Sequence, residues 1–164
     1  MAITFVRIDD RIIHGQVVTR WSMEYPCDGI LAVNDKAAKD SILKSALKAA
    51  STKKVLIYTY EEFLTKMEQA IKSEKKYFLI TKEPITMAKL LVENDLKVET
   101  KNVNVGPQSA RPGTKNVNNN ADITEEEIDA YEKMFQKGYD IDFRLVPDGK
   151  SVLWSNVREK MIKK

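Results

Sequence analysis

The sequence predicts a single α/β domain over residues 1–164, with an open, mostly parallel central sheet and helices on both faces. Short β-rich runs alternate with segments of helical periodicity along the chain, the pattern of strands joined by crossover helices. At 164 residues, 43% hydrophobic and 31% charged, the chain is long enough to bury a substantial core. It shows no internal repeat and no linker that would divide it.

The first strand is Ile3–Ile8, and Gly29–Val33 is the second. Asn34 and Asp35 then signal a helix start, and the helix places Ala38, Ile42 and Ala46 on one stripe with Leu43, Leu47 and Ala50 beside it. Residues 55–58 form a third strand. Phe63, Leu64, Met67, Ala70 and Ile71 form one face of the next helix. Residues 77–80 form a fourth strand, and Pro84 suits the first turn of a helix reaching toward Leu91. Asn102–Val105 is a short strand. The polar stretch 106–122, with Pro107, Pro112, Gly113 and three consecutive asparagines, reads as a loop holding at most one short extended piece. Thr124 and Glu127 make a capping box for a helix faced by Ile128, Tyr131 and Phe135, and Gly138 is placed to stop it. Residues 141–146 alternate as a strand. A last helix over about 151–162 has Val152, Leu153, Val157 and Met161 as its inner face.

Composition excludes several classes. The balance of 27 basic to 24 acidic residues gives a net charge of +3, too small to argue for nucleic acid, and the C-terminal lysines read as a solvated tail. The lone Cys27 has no internal disulfide partner, which points to a reducing compartment. The N-terminal apolar run is broken at Arg7, unlike a signal peptide, and no run of about 20 apolar residues exists to span a bilayer. A cytoplasmic, soluble protein is expected. One histidine and a distant cysteine make no metal site, and no glycine-rich phosphate loop or nucleophile elbow occurs. No cofactor is expected.

The informative segment is RIDDRIIHGQ at residues 7–16, which holds the only histidine in the chain, His14. It follows the first strand and so falls at the carboxyl edge of the sheet, where ligands collect in open α/β folds. A phosphoryl-accepting imidazole must be neutral when it attacks. The ordinary histidine pKa of about 6.5 already favours that form, and Arg7 and Arg11 would disfavour protonation further. After transfer the same guanidinium groups can fork onto phosphate oxygens, with helix N-terminal amides beside them. Gly15 leaves room for an amide to approach, and Gln16 lies next to it. Asp10 has two roles open to it: bonding the ring nitrogen that does not attack, or holding Arg11. Asp9 is left to solvent. The bland alternative is an ordinary half-buried histidine among solvated ion pairs, each contributing under about 1 kcal/mol.

The segment from Phe5 to Trp21, with its R-[IV]-D-[DE]-R-hydrophobic-hydrophobic-H-G-Q pattern, resembles the start of IIB subunits of the mannose/fructose/sorbose family of sugar phosphotransferase systems. Val33 to Asp40, the Asn104-Val105-Gly106 motif and the segments at 138–141 and 144–147 extend the resemblance over the chain. It implies an open α/β sheet and a phosphorelay. A IIA domain, phosphorylated on histidine by the carrier HPr, donates to the IIB histidine, which passes the group to a sugar held by the membrane components IIC and IID. On this resemblance His14 is the carrier, through Nδ1, Arg7 and Arg11 steady the phosphate, and Asp10 is the supporting aspartate. The chain departs from the family after Gly106, where Pro107 to Pro112 replaces the usual asparagine and methionine. Arg111 in that loop adds positive charge near the site or is plain surface. Asn34 and Asp35 lie near the histidine or serve only as a helix cap. Trp21 is expected in the core, and Trp154 in either setting.

The expected protein is a cytoplasmic phosphotransferase docked peripherally on a membrane transporter, with self-association left open. A regulatory module whose phosphohistidine only modulates partner binding is the alternative, and a nucleotide-binding α/β domain is a weaker one.

Overall fold

The computed structural model describes residues 2–163. Its main sheet contains β1 (Ile3–Ile8), β2 (Gly29–Val33), β3 (Lys54–Tyr58), β4 (Tyr77–Thr81), β5 (Asn102–Val105), β8 (Asp140–Phe143) and β9 (Val152–Leu153). Across the sheet the order is β3-β2-β4-β1-β5-β8-β9. Every pairing is parallel except that of β8 with β9. A separate antiparallel hairpin pairs β6 (Lys115–Asn118) with β7 (Ala121–Ile123).

Helices cover both faces, as expected. On one face α1 (Gly15–Trp21), α2 (Asp35–Lys39) and α3 (Ser41–Ala49) pack Val17, Val18, Trp21, Ala37 and Leu47 against Phe5, Ile30, Ala32, Phe78 and Ile80. On the other, α4 (Tyr60–Lys72), α5 (Pro84–Ala88), α6 (Glu125–Lys137) and α7 (Trp154–Ile162) bury Phe63, Met87, Tyr131, Met134 and Trp154 against Val6, Ile8, Leu31, Leu79 and Ile141. β1 is the middle strand and all six of its residues are buried. Trp21 is core, stacked on Phe5 with ring centroids 4.9 Å apart. Trp154 is core too, fully buried with its indole N–H given to Glu132.

This strand order positions the site. The chain leaves β1 through α1 toward β2 on one side of the sheet, and leaves β5 through the hairpin and α6 toward β8 on the other. Because α1 and α6 cover opposite faces, the strand order changes direction between β1 and β5, at the carboxyl ends where ligands bind in open α/β sheets.

Several sequence expectations are corrected. The single helix expected through residues 38–50 is two helices broken at Asp40, whose extended backbone lets its carboxylate cap α3 by accepting from Ile42 and Leu43 N–H. The break changes the phase of the apolar stripe, and Ile42 ends 82% exposed. The helix from Pro84 continues past Ala88 as a π-helical turn, Lys89–Glu93. The polar stretch 106–122 contains a hairpin rather than plain loop. The strand expected at 141–146 stops at Phe143, and Val152 and Leu153 form an antiparallel edge strand, so the last helix begins at Trp154. The helix-start box expected at Thr124 and Glu127 closes as a two-way hydrogen bond, and a second one, Thr59 with Glu62, starts α4. Among the described residues no helix is long and apolar enough to cross a membrane.

Gly138 ends α6 with φ 113, in the left-handed region. Replacing it with alanine is expected to cost about 1 kcal/mol or more and to lower the melting temperature by about 2–4 °C for a chain of this size. An unchanged thermal melt would contradict this.

Candidate functional site

The loop after β1 is folded from within. Asp9 is 1% exposed, and its Oδ1 accepts the Arg11 backbone N–H at 2.8 Å. Ile13 N–H then donates to the Arg11 carbonyl at 2.7 Å across Ile12, whose φ is 63. This is a three-residue turn with positive φ at its centre, a rare form for any residue and strained for a β-branched one, by about 1–3 kcal/mol. Ile12 and Ile13 are each 4% exposed, in the cluster with Val17, Val18 and Trp21. Burial of two isoleucines, about 1.5–3 kcal/mol each, outweighs the strain. The turn leaves Arg11 exposed and delivers His14, half-exposed, to the position that precedes α1. Neither the His14 ring nor the Arg11 guanidinium has a hydrogen-bond or ion-pair partner among the described residues. The amides of Gly15, Gln16 and Val17 stand ahead of the first intrahelical bond, from Val18 N–H to the His14 carbonyl.

Arg7 does not face that opening. It is 2% exposed, and each of its three guanidinium nitrogens is hydrogen-bonded. Nε and Nη2 donate to Asp9 Oδ2 at 3.1 and 3.0 Å, and Nη1 donates to Asn104 Oδ1 and to the Leu145 carbonyl. Burial pulls the Arg7 pKa below its ordinary value, while the charge and hydrogen bonds of Asp9 oppose that shift. The group expected to fork onto phosphate is therefore an internal support. Alternation explains it: Phe5, Arg7 and Asp9 share a face, and Arg7 stands beside Asn104 in the β1–β5 register. Gly106 completes the arrangement, since a Cβ there would lie 2.2 Å from Arg7 Nη2 and 3.0 Å from Asp9 Oδ2.

Asp10 holds neither the ring nor Arg11. Its carboxylate accepts the Ser109 N–H and its own N–H donates to the Pro107 carbonyl, joining the loops after β1 and β5. Arg111 is engaged within its own loop and by α6. It forks onto Glu127, with Nη1–Oε2 at 3.2 Å and Nη2–Oε1 at 2.9 Å, and bonds the Ser109 carbonyl through Nε. Gly15 is required for a different reason than expected, because a Cβ would meet the Ala50 carbonyl at 2.2 Å. Gln16 is exposed on a shallow groove of about 450 Å³, which it shares with Gly15, Thr19, Arg20 and residues 50–52. Asn34 caps α2 by accepting from Ala37 N–H, and Asp35 accepts from Tyr60 N–H. The exit of β2 is two strand spacings, about 10 Å, from β1. Those two residues are structural caps apart from the histidine.

Sequence reasoning missed Asp9 and Asn104. The available signal was their shared parity: a charge at strand position i+2 from Arg7, and an asparagine in an alternating N-V-N-V run, both on a face with no water to solvate Arg7. Among the described residues no group of three or more His, Cys, Asp or Glu side chains is placed to hold a metal ion. What remains at the opening is one imidazole, one free guanidinium and several unpaired amides, a set that can bind and carry a tetrahedral oxyanion.

Residues 3–164 match the sequence model of the PTS system sorbose subfamily IIB component. The mannose-specific EIIAB component of the PTS from Escherichia coli (strain K12) is 33% identical over 150 residues, 89% of this chain. The chain spans about half the length of that relative, 45%. The sorbose-specific EIIB component from Lacticaseibacillus casei is 30% identical over 148 residues, 89% of this chain and 88% of that protein. The crystal structure of the IIBSor domain of the sorbose permease from Klebsiella pneumoniae has a TM-score of 0.86 at 25% identity, covering 99% of each chain.

Asp9→Asn removes the only carboxylate paired with Arg7 among the described residues and is expected to destabilise the protein by about 3–5 kcal/mol in denaturant titration. Gly106→Ala drives a methyl into the same buried group and is expected to cost about 1–3 kcal/mol. Midpoints equal to that of the unaltered chain would show that the pair is not the support described.

Proposed function

The chain belongs to the sorbose subfamily of PTS IIB components, and from that premise we propose that it is a phosphoryl carrier in sugar uptake. His14 accepts a phosphoryl group from the phosphohistidine of a IIA protein and passes it to a sugar held by membrane IIC and IID partners. The supporting observation is that the one histidine of the chain stands half-exposed beyond the carboxyl end of β1, three residues after an exposed arginine whose guanidinium has no partner among the described residues.

In the first step the Nδ1 lone pair of neutral His14 attacks phosphorus. The phosphorus–nitrogen bond to the donor breaks, and its electron pair returns to the donor imidazole. In the second step a sugar hydroxyl oxygen attacks, the bond to His14 breaks, the ring recovers its lone pair, and the hydroxyl proton leaves to solvent. Both displacements demand positioning and charge stabilisation more than covalent machinery. Arg11 supplies the charge. Its backbone N–H is fixed by Asp9 while its side chain is free to fold onto the phosphate oxygens. The amides of Gly15 and Gln16, ahead of the first intrahelical bond, are further donors for the phosphate. Arg7 acts from underneath, holding Asp9. The protein works at the cytoplasmic side, docked peripherally on the transporter. Sugar choice rests with the membrane partners.

Incubation with enzyme I, HPr, a cognate IIA and labelled phosphoenolpyruvate tests this. The unaltered chain is expected to take up label and His14→Ala none; equal labelling of His14→Ala would refute the assignment. Arg11→Ala is expected to slow transfer about 10- to 100-fold, the loss of one or two charge-assisted hydrogen bonds. An unchanged rate would remove Arg11 from the phosphate.

A further inference from the structure

We propose that Glu127 is a positioning residue for phosphoryl transfer, acting through Arg111 and the 107–111 segment on the loop that carries His14; this rests on the phosphocarrier reading above. Glu127 lies in the first turn of α6, a helix of 13 residues, with its side chain 6% exposed. Its Oε1 accepts the Thr124 N–H at 2.9 Å, so the carboxylate is fixed by the helix start before it meets any cation. Arg111 grips both oxygens and also donates from Nη2 to the Asp122 carbonyl at 3.1 Å. A planar fork held on three acceptors has little freedom.

From Arg111 the chain of bonds runs toward His14. Nε donates to the Ser109 carbonyl at 2.9 Å, and the Ser109 N–H donates to the Asp10 carboxylate. Asp10 is also tied by its backbone N–H to the Pro107 carbonyl at 3.0 Å. Gln108, between them, pairs with the hairpin through its N–H to the Asn120 carbonyl and its carbonyl to the Asp122 N–H. The loop after β1 is thus anchored twice: inside by Arg7 on Asp9, and outside by α6 through Arg111 on Asp10. The inside anchor sets the depth of the loop. The outside anchor sets its position relative to the loop after β5. A displacement of about 1 Å in such a site can cost up to about a hundredfold in rate.

The sign of the effect separates positioning from direct electrostatics. Glu127 is negative, and through-space repulsion of phosphate would make Glu127→Gln faster. A positioning role makes it slower, because the neutral amide cannot hold the Arg111 fork. For the same reason Arg111→Lys keeps the charge and loses the function.

The test is transfer from phosphorylated IIA to the full chain, with kcat and KM separated. Glu127→Gln, Arg111→Ala and Arg111→Lys are each expected to lower kcat about tenfold with donor KM within about twofold. Asp10→Ala combined with Glu127→Gln should be no slower than the slower single variant, because both break one chain of bonds. In the unmodified protein, the Ser109 amide proton should move upfield in Glu127→Gln with the rest of the amide spectrum retained. Equal or faster transfer by Glu127→Gln, full rate with Arg111→Lys, or an unmoved Ser109 amide overturns the proposal. If the unaltered chain takes no label, the phosphocarrier reading falls as well; if it labels normally while Glu127→Gln matches it, only the positioning role falls.

Discussion

The buried ion pair of Arg7 and Asp9 is the constraint from which the site is built. Each side chain is 2% exposed, and removing two charges from water is expensive unless every hydrogen-bonding direction is used. Most of them are used. Asp9 takes two donors from Arg7 and one from the Arg11 backbone, and Arg7 Nη1 donates to Asn104 and to the Leu145 carbonyl. The consequences spread outward. Residue 106 must be glycine because the guanidinium fills the space of a Cβ. β8 ends at Phe143, and beyond it the Arg144 and Leu145 carbonyls turn to accept from Asn104, Arg7 and the Trp21 indole. The β1 loop is held down at Asp9, so the rest of it must rise.

How it rises decides which side chains reach the surface. The strained turn at Ile12 puts two isoleucines into the core and leaves Arg11 and His14 at the surface. The strand order places that surface where the connections after β1 and β5 leave for opposite faces of the sheet. On the reading proposed above, two arginines four residues apart have opposite duties: Arg7 is structural because its strand position faces inward, and Arg11 is chemical because the turn lifts it out.

Much of the fold was legible in the sequence. β1, β2 and β5 have the bounds expected, because apolar runs between turn residues are strong local signals. The Thr124–Glu127 box and the Gly138 stop are equally local. The misses come from competition that local patterns do not show. Asp40 is a better cap than helix interior residue, which splits one expected helix. β9 exists only because β8 offers it an edge. The asparagine-rich hairpin is held by Gln108, a neighbour across the loop. Of the proposed site, His14 and Arg11 were singled out by residue type. Asp9 and Asn104 were not, because their importance lies in facing a charge that the fold had yet to bury.

The most direct measurement is side-chain NMR of the arginine Nε–H groups before and after phosphorylation of the histidine. The account predicts that the Arg11 signal shifts and sharpens as it closes on the phosphate, while the Arg7 signal stays protected from solvent exchange and does not move. A shift of Arg7 on phosphorylation, with its bond to Asp9 released and Arg11 unaffected, would reverse the two duties and contradict it.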